Sequence, residues 1–159
     1  MKITIITVGK IKEKFYREAL AEYTKRLSRY CKLEILEVAD EKTPENASRR
    51  EEELLLQKEG ERILRYIKPE MTVFALAIEG ESLNSTDFAQ VIERQGLQGH
   101  SSLAFLIGGS LGLHPDVLKQ CHRKISFSPM TFPHQLMRVI LLEQIYRAWR
   151  IIHKEPYHK

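Results

Sequence analysis

Short apolar segments alternate with segments of helical periodicity along the whole of this 159-residue chain. Between the apolar segments, apolar side chains recur three or four positions apart, which is the spacing of a helix with one buried face. This alternation predicts an α/β fold, a mostly parallel sheet with helices on both faces. Strands are predicted at residues 2–8, 33–38, 72–78, 103–107 and 124–127, and helices at 13–28, 48–67, 85–95, 134–152 and in a short segment from His114.

The length and composition indicate the class of protein. A chain of 159 residues fits a single domain, here residues 1–159, that is large enough to bury a core. No apolar run approaches the roughly 20 residues needed to span a bilayer, and no signal peptide is recognisable, so we expect no membrane association and a cytoplasmic location. Cys31 and Cys121 lie far apart, and the histidines lack the spacing of paired ligands. The sequence therefore predicts neither a disulfide nor a metal site.

Charge is segregated along the chain. Residues 1–32 hold nine Lys and Arg against three acids, residues 33–113 hold eight against fifteen, and residues 114–159 hold eight against three. If the two basic ends meet in the fold, they form a positive face suited to a nucleic-acid backbone. Charge alone equally allows the interpretation that scattered lysines merely solvate the surface.

Two predicted strands run directly into turns with unusual composition. Residues 103–107 are followed by a glycine-rich turn at 108–112, and residues 124–127 are followed by a loop with two prolines, Pro129 and Pro133. Ligands of open α/β sheets bind at such carboxyl ends, where glycines allow close approach of the backbone. An apolar pocket with backbone donors and acceptors would suit a flat ring such as adenine.

The glycine turn also satisfies G-x-S-x-G, the nucleophile elbow of α/β-hydrolases, with Ser110 as the nucleophile. Gly112 and Pro115 delay the following helix, however, and nothing in the spacing selects the Glu143 and His158 that a triad would need. A hydrolase remains the minor interpretation, and it predicts that Ser110 reacts with a fluorophosphonate probe.

Several motifs together are very specific, although each alone is weak. They are Val8-Gly9-Lys10, the glycine turn within 105–114, the segment 126–138, the Glu143-Gln-x-Tyr-Arg147 helix and the terminal Tyr157-His158. On these residues essentially the whole chain resembles the RlmH family of the SPOUT class, the pseudouridine N3-methyltransferases of large-subunit ribosomal RNA. The resemblance implies a C-terminal trefoil knot, a rare exception to unknotted topology.

The resemblance further implies the cofactor S-adenosyl-L-methionine, bound in the knot. Carried over by position, the contacts would come from the end of the third strand, the glycine turn and the loop after the fifth strand. These residues are Leu76, Gly108, Phe127, Ser128, Pro129, Met130, Thr131 and Phe132.

A homodimer acting on 23S ribosomal RNA, and on the assembled 70S ribosome, is also implied. The last helix would pack on its symmetry mate, although its apolar stripe, which includes Tyr146 and Trp149, suits a core as well as an interface. Tyr157 and His158 would position the acceptor nucleobase and assist its proton; without the resemblance, a terminal histidine is read as solvated. Candidate RNA-binding residues are His134, Arg138, Lys10 and Lys12. The alternative function is a non-catalytic RNA- or ribosome-binding module of the same fold.

Overall fold

Five parallel strands form a single sheet, as the alternation in the sequence predicts. The structure is a computed structural model and describes residues 1–159. In spatial order the strands are β2, β1, β4, β3 and β5. Their bounds are β1 Lys2–Val8, β2 Lys32–Val38, β3 Thr72–Ser82, β4 Ser102–Ile107 and β5 Arg123–Ser126.

Five helices connect the strands and cover both faces of the sheet. Three of them share one face, where α5 packs against both α1 and α3, while α2 and α4 pack together on the other face. None of these helices combines the length and the apolar character that a membrane crossing would need. The helices are α1 Lys14–Leu27, α2 Arg49–Leu64, α3 Ser85–Leu97, α4 Pro115–Lys119 and α5 His134–Ile152.

Alternate residues of the strands supply two separate cores. Ile3 and Ile5 of β1 point into the larger core with α1, α3 and α5, whereas Ile6 and Val8 point into the smaller core under α2 and α4. Because β1 and β4 lie inside the sheet and are covered on both sides, their sequences are almost continuously apolar. On α5, Leu142 and Ile145 are fully buried, and Tyr146 and Trp149 pack against the larger core while partly exposed.

Local sequence signals explain where the helices begin. The Ser48 side chain accepts a hydrogen bond from the Glu51 backbone N–H, and the Glu51 carboxylate accepts one from the Ser48 N–H, so α2 starts at a capping box. Pro115 occupies the first turn of α4, where its missing donor costs nothing. These starts agree with the predicted positions to within one residue.

The third strand departs from the prediction. It was expected to end at Ile78, but β3 continues to Ser82 and pairs with β5 a second time. Ile125 of β5 is the register partner of both Leu76 and Glu81, so the four residues between them bulge out of the ladder. A Cβ on Gly80 would come within 2.7 Å of the Ile125 backbone. Only glycine permits this close return of β3 onto β5.

Candidate functional site

A cleft of about 690 Å³ opens at the carboxyl ends of β3, β4 and β5. Its walls come from the bulge of β3, the glycine turn after β4, the loop after β5 and the first turn of α5. Half of the 22 lining residues are hydrophobic. A volume and lining of this kind are typical of a site for a small molecule with an apolar ring.

Steric crowding requires the glycines of the turn after β4. A Cβ on Gly108 would lie 2.3 Å from the Gly112 carbonyl oxygen, far inside contact distance. Gly112 itself has a φ of 79°, a left-handed conformation that favours glycine. The Gly112 N–H donates to the Gly109 carbonyl oxygen at 3.0 Å and closes the turn. The turn therefore presents bare backbone to the cleft.

Ser110, the serine of this turn, has no activating partner. His114 uses its Nδ1 to accept a hydrogen bond from the Asp116 N–H at 3.1 Å, and the Nδ1 of His134 makes no hydrogen bond. A serine nucleophile needs a histidine within hydrogen-bonding reach. The geometry thus lacks the arrangement that a hydrolase would require.

Internal hydrogen bonds shape the loop after β5, residues 127–133. The Ser126 hydroxyl donates to the Ser128 carbonyl oxygen, and the Met130 N–H donates to the Ser128 hydroxyl, both at 3.0 Å. Phe127 packs edge-on against Phe88, with ring centroids 5.2 Å apart. The loop is therefore held against α3 on one side and lines the cleft on the other.

The structure brings seven of the eight expected cofactor-contacting residues together. All of them line this single cleft; Pro129 alone does not. The seven are Leu76, Gly108, Phe127, Ser128, Met130, Thr131 and Phe132.

His134, expected to contact RNA, also lines the cleft. Its Nδ1 is buried and has no hydrogen-bond partner. Burial, assisted by the nearby charge of Arg138, lowers the pKa of His134 below its usual range, against opposing effects of Asp40 and Glu13. The lowered pKa favours the neutral ring, and its Nδ1 is a buried polar atom that the protein leaves without a partner.

Arg138 does not occupy the position expected of an RNA-binding residue. Its side chain is only 2% exposed. The Nη1 donates to the Glu37 carboxylate at 2.8 Å, and the Nη2 donates to the carbonyl oxygens of Val8 and Gly9 at 2.9 and 2.7 Å. The guanidinium thus joins α5 to the ends of β1 and β2 and is not available to phosphates. The expectation that it points toward RNA is wrong for this structure.

Lys10 and Lys12 lie outside the cleft. Both are exposed in the segment between β1 and α1, and neither lines the cavity. Gly9 places this segment beside the site, because a Cβ there would lie 3.3 Å from Cε1 of His134. The two lysines are therefore positioned to extend a basic surface at the rim.

Tyr157 and His158 do not line the cleft of their own chain. The Tyr157 hydroxyl donates to the Glu143 carboxylate at 3.1 Å, and the Arg147 guanidinium lies 4.7 Å from the centre of its ring. Burial and the charge of Glu143 raise the pKa of Tyr157 to about 12. An Nη1 of Arg147 lies 3.4 Å from Nδ1 of His158. Tyr157 and His158 thus lie against Glu143 and Arg147 of α5, outside the cleft.

Glu155 anchors the C-terminal tail, residues 155–159, to the rest of the chain. The Glu155 carboxylate accepts hydrogen bonds from Arg150 at 2.6 Å, from Arg29 at 3.1 Å and from the Tyr30 hydroxyl. These contacts hold the tail against α5 and the turn that follows α1. The contacts with Arg29 and Tyr30 join residues more than 120 positions apart, and such pairs leave no periodic signal in the sequence.

Sequence reasoning missed the wall formed by the β3 bulge. Ala77, Ile78 and Glu79 line the cleft, and Ile78 is 51% exposed there. The available signal was Gly80 immediately after an apolar run, since a glycine within a strand pattern often marks a bulge. Nowhere do three or more His, Cys, Asp or Glu side chains cluster as metal ligands would.

The chain is similar to known methyltransferases over its whole length. Residues 1–158 match the family described as "Predicted SPOUT methyltransferase". A ribosomal RNA large subunit methyltransferase H from Clostridium botulinum (strain Hall) is 59% identical over the full length of both chains. The protein of that name from Bifidobacterium adolescentis is 62% identical, again over both full lengths.

Two solved structures share the fold at low sequence identity. A probable methyltransferase from Bordetella pertussis aligns with a TM-score of 0.56 and 14% identity over 92% of this chain and 95% of that one. A probable methylase family protein from Haemophilus influenzae aligns with a TM-score of 0.53 and 11% identity over 99% of this chain and 70% of that one. These likenesses support the α/β fold.

Proposed function

The chain belongs to the SPOUT methyltransferase family and, within it, to the RlmH group, and from this premise we propose that it methylates 23S ribosomal RNA with S-adenosyl-L-methionine as donor. The acceptor atom in this proposal is N3 of a pseudouridine, and the substrate is the assembled 70S ribosome. The observation that carries the proposal is the cleft at the ends of β3, β4 and β5, where seven residues expected at the cofactor come together.

The cleft fits the proposed cofactor in size and chemistry. Its volume of about 690 Å³ lies within the range of small-molecule sites. Gly108 presents a backbone surface that a Cβ would fill, and the unpartnered Nδ1 of His134 offers one polar contact. Leu76, Phe127 and Phe132 would supply apolar walls. The trefoil knot implied by the family would be built from these same segments.

Methyl transfer of this kind needs alignment and the removal of one proton. The donor supplies an electrophilic methyl group on a sulfonium, and no metal is required. The proton of the pseudouridine N3 must leave as the N–C bond forms, so a group near the acceptor has to take it. In our proposal His158 accepts that proton. Tyr157 positions the nucleobase: it keeps its hydroxyl proton because its pKa is raised to about 12, and since that proton is donated to Glu143, the hydroxyl oxygen accepts a hydrogen bond from an N–H of the base.

A homodimer is part of the proposal, because one chain does not bring its tail to its own cleft. The surface formed by α1, α5 and the tail is rich in aromatic residues and arginine: Tyr30 stacks on Trp149 at 6.2 Å, and Arg26 lies 5.7 Å from the centre of the Tyr146 ring. Such residues are enriched at protein interfaces. Packing of two copies through this surface would bring the tail of one subunit to the cleft of its partner.

Labelled cofactor tests the function directly. Incubation of the protein with 70S ribosomes from a strain that lacks the enzyme should transfer label to 23S RNA, and mass mapping should place it on N3 of a pseudouridine. Free 23S RNA is the control substrate. If the assembled ribosome is required, the enzyme should methylate free 23S RNA much less than 70S ribosomes. Calorimetry with S-adenosylmethionine separates the alternative, since a non-catalytic module would bind RNA without binding the cofactor. Activity without a membrane fraction is expected of a cytoplasmic enzyme.

A further inference from the structure

An exposed aromatic side chain stands among cations between β1 and the first turn of α1. Phe15 is 63% exposed, and its ring centroid lies 4.3 Å from that of the half-buried Tyr16. Within residues 10–17, which we name the aromatic–cation face, four exposed cations accompany one acid, Glu13. The cations are Lys10, Lys12, Lys14 and Arg17.

Folding does not explain this arrangement. Phe15 belongs to neither hydrophobic core and packs against neither of them. Among the four cations, only Lys14 has an ion pair, with Glu18 at 3.6 Å, and both partners are largely exposed. Pairs of this kind contribute little to stability. The face therefore exposes an apolar ring that is not packed in either core and three cations that form no ion pair.

The aromatic–cation face adjoins the cleft. Gly9, which precedes it, is in contact range of His134, and Glu13 lies close enough to His134 to act on its pKa. His134 lines the cleft. A polymer whose acceptor nucleotide lies beside the cleft can therefore reach residues 10–17 with its neighbouring nucleotides.

We propose that this face docks an unpaired stretch of RNA, with a base near the methylated nucleotide stacked on Phe15 and its phosphates on the surrounding lysines. The position relative to the methylated nucleotide rests on the function proposed above. A phenyl ring carries no hydrogen-bonding group and accepts the π-face of any base, while the cations complement the backbone charge. Stacking requires a base that is free of a helix, which commits the occupant to single-stranded RNA.

Substitution of Phe15 tests the docking surface without touching the cleft. Phe15→Ala should weaken binding of a fluorescein-labelled single-stranded RNA by about 5- to 150-fold, the range expected for one stacked base. Binding of a duplex RNA of the same composition should not change, nor should calorimetric binding of S-adenosylmethionine. Phe15→Trp should retain single-strand affinity because it preserves the stack. Lys12→Gln should reduce the slope of log affinity against log salt by about 0.7.

Leu97 provides the matched control. It is 82% exposed. It is the last residue of α3, shortly before β4 begins, so it lies near the amino ends of the strands, whereas the cleft lies at their carboxyl ends. Leu97→Ala should leave single-strand affinity unchanged.

Four results for Phe15→Ala would overturn the proposal. Its affinity for single-stranded RNA could be unchanged, or it could lose affinity for single-stranded and duplex RNA equally. It could also fail to form a dimer in sedimentation, or lose affinity for anionic vesicles and not for RNA. A dimer loss would identify the face as an interface between copies, and a vesicle-specific loss would identify it as a membrane contact. If the wild-type protein transfers no methyl group to RNA, the proposed function fails. The binding assay still decides the docking surface separately.

Discussion

The Nη1 of Arg138 lies 2.8 Å from the Glu37 carboxylate inside the fold. The same carboxylate oxygen accepts a hydrogen bond from the Ile11 N–H at 3.2 Å. One ion pair therefore links α5, the end of β2 and the segment that follows β1. Because His134 lies one turn before Arg138 on α5, this link also fixes a wall of the cleft.

Arg138→Ala should destabilise the whole protein. The substitution removes the guanidinium that donates to the Val8 and Gly9 carbonyl oxygens and leaves Glu37 with only the Ile11 N–H. We expect a loss of about 2–4 kcal/mol, less than for a fully buried pair because Glu37 is partly exposed. Denaturant unfolding measures this loss. Arg123→Ala, which removes an exposed pair with Glu81, should cost about 1 kcal/mol or less. Equal stability of the two variants, with only RNA methylation lost in Arg138→Ala, would restore a direct role in RNA binding.

Gly108→Ala should weaken cofactor binding. The added Cβ would lie 2.3 Å from the Gly112 carbonyl oxygen, so the turn has to open into the cleft. Calorimetry with S-adenosylmethionine should show a loss of at least about tenfold in affinity, equivalent to about 1.4 kcal/mol. Gly96→Ala is the control, since its Cβ meets only the flexible end of Met1 at 3.4 Å. Normal affinity in Gly108→Ala would remove the glycine turn from the binding site.

Acid should destabilise the protein partly through His134. Its pKa is lowered by burial in the folded state, so the unfolded chain binds a proton first as pH falls below about 6.5. Above that pH both states are neutral and the shift has no effect; below it, stability falls until His134 is protonated in the fold as well. The melting temperature of His134→Gln should therefore drop less between pH 7.5 and 5.5 (about one unit on either side of that pKa) than that of wild type. His100→Gln, at an exposed position, should follow wild type, and an identical drop in His134→Gln would contradict the argument.

Hybrid dimers should reveal whether the tail acts across the interface. One subunit carries Leu76→Trp, which adds bulk to the cleft wall, and the other carries Tyr157→Phe with His158→Ala. Each homodimer should be inactive. A heterodimer purified through two different tags has one intact cleft facing one intact tail, so about half of wild-type methyl transfer should return. No recovery would mean that each tail serves its own subunit.

Sequence patterns predicted the strands and helices well because those depend on local periodicity. The apolar runs of β1 and β4 and the Ser48 start of α2 all appear where expected. The cofactor-contacting set also clusters, since carboxyl ends of parallel strands share one edge of the sheet. Prediction failed where a charged residue found a partner far along the chain. Arg138 has the helical position of an exposed cation, and only the folded structure shows that Glu37 and two carbonyl oxygens enclose it.

The double pairing of Ile125 with Leu76 and Glu81 separates the frame of the sheet from one wall of the cleft. Both ends of the β3 bulge are anchored in register, while Ala77, Ile78 and Glu79 between them face the cavity. An engineer could randomise these three positions, leaving Gly80 in place, and reshape the pocket without rebuilding the scaffold. The bulge is thus a segment in which variants that bind other ligands can be selected, because the register that holds the sheet together is left unchanged.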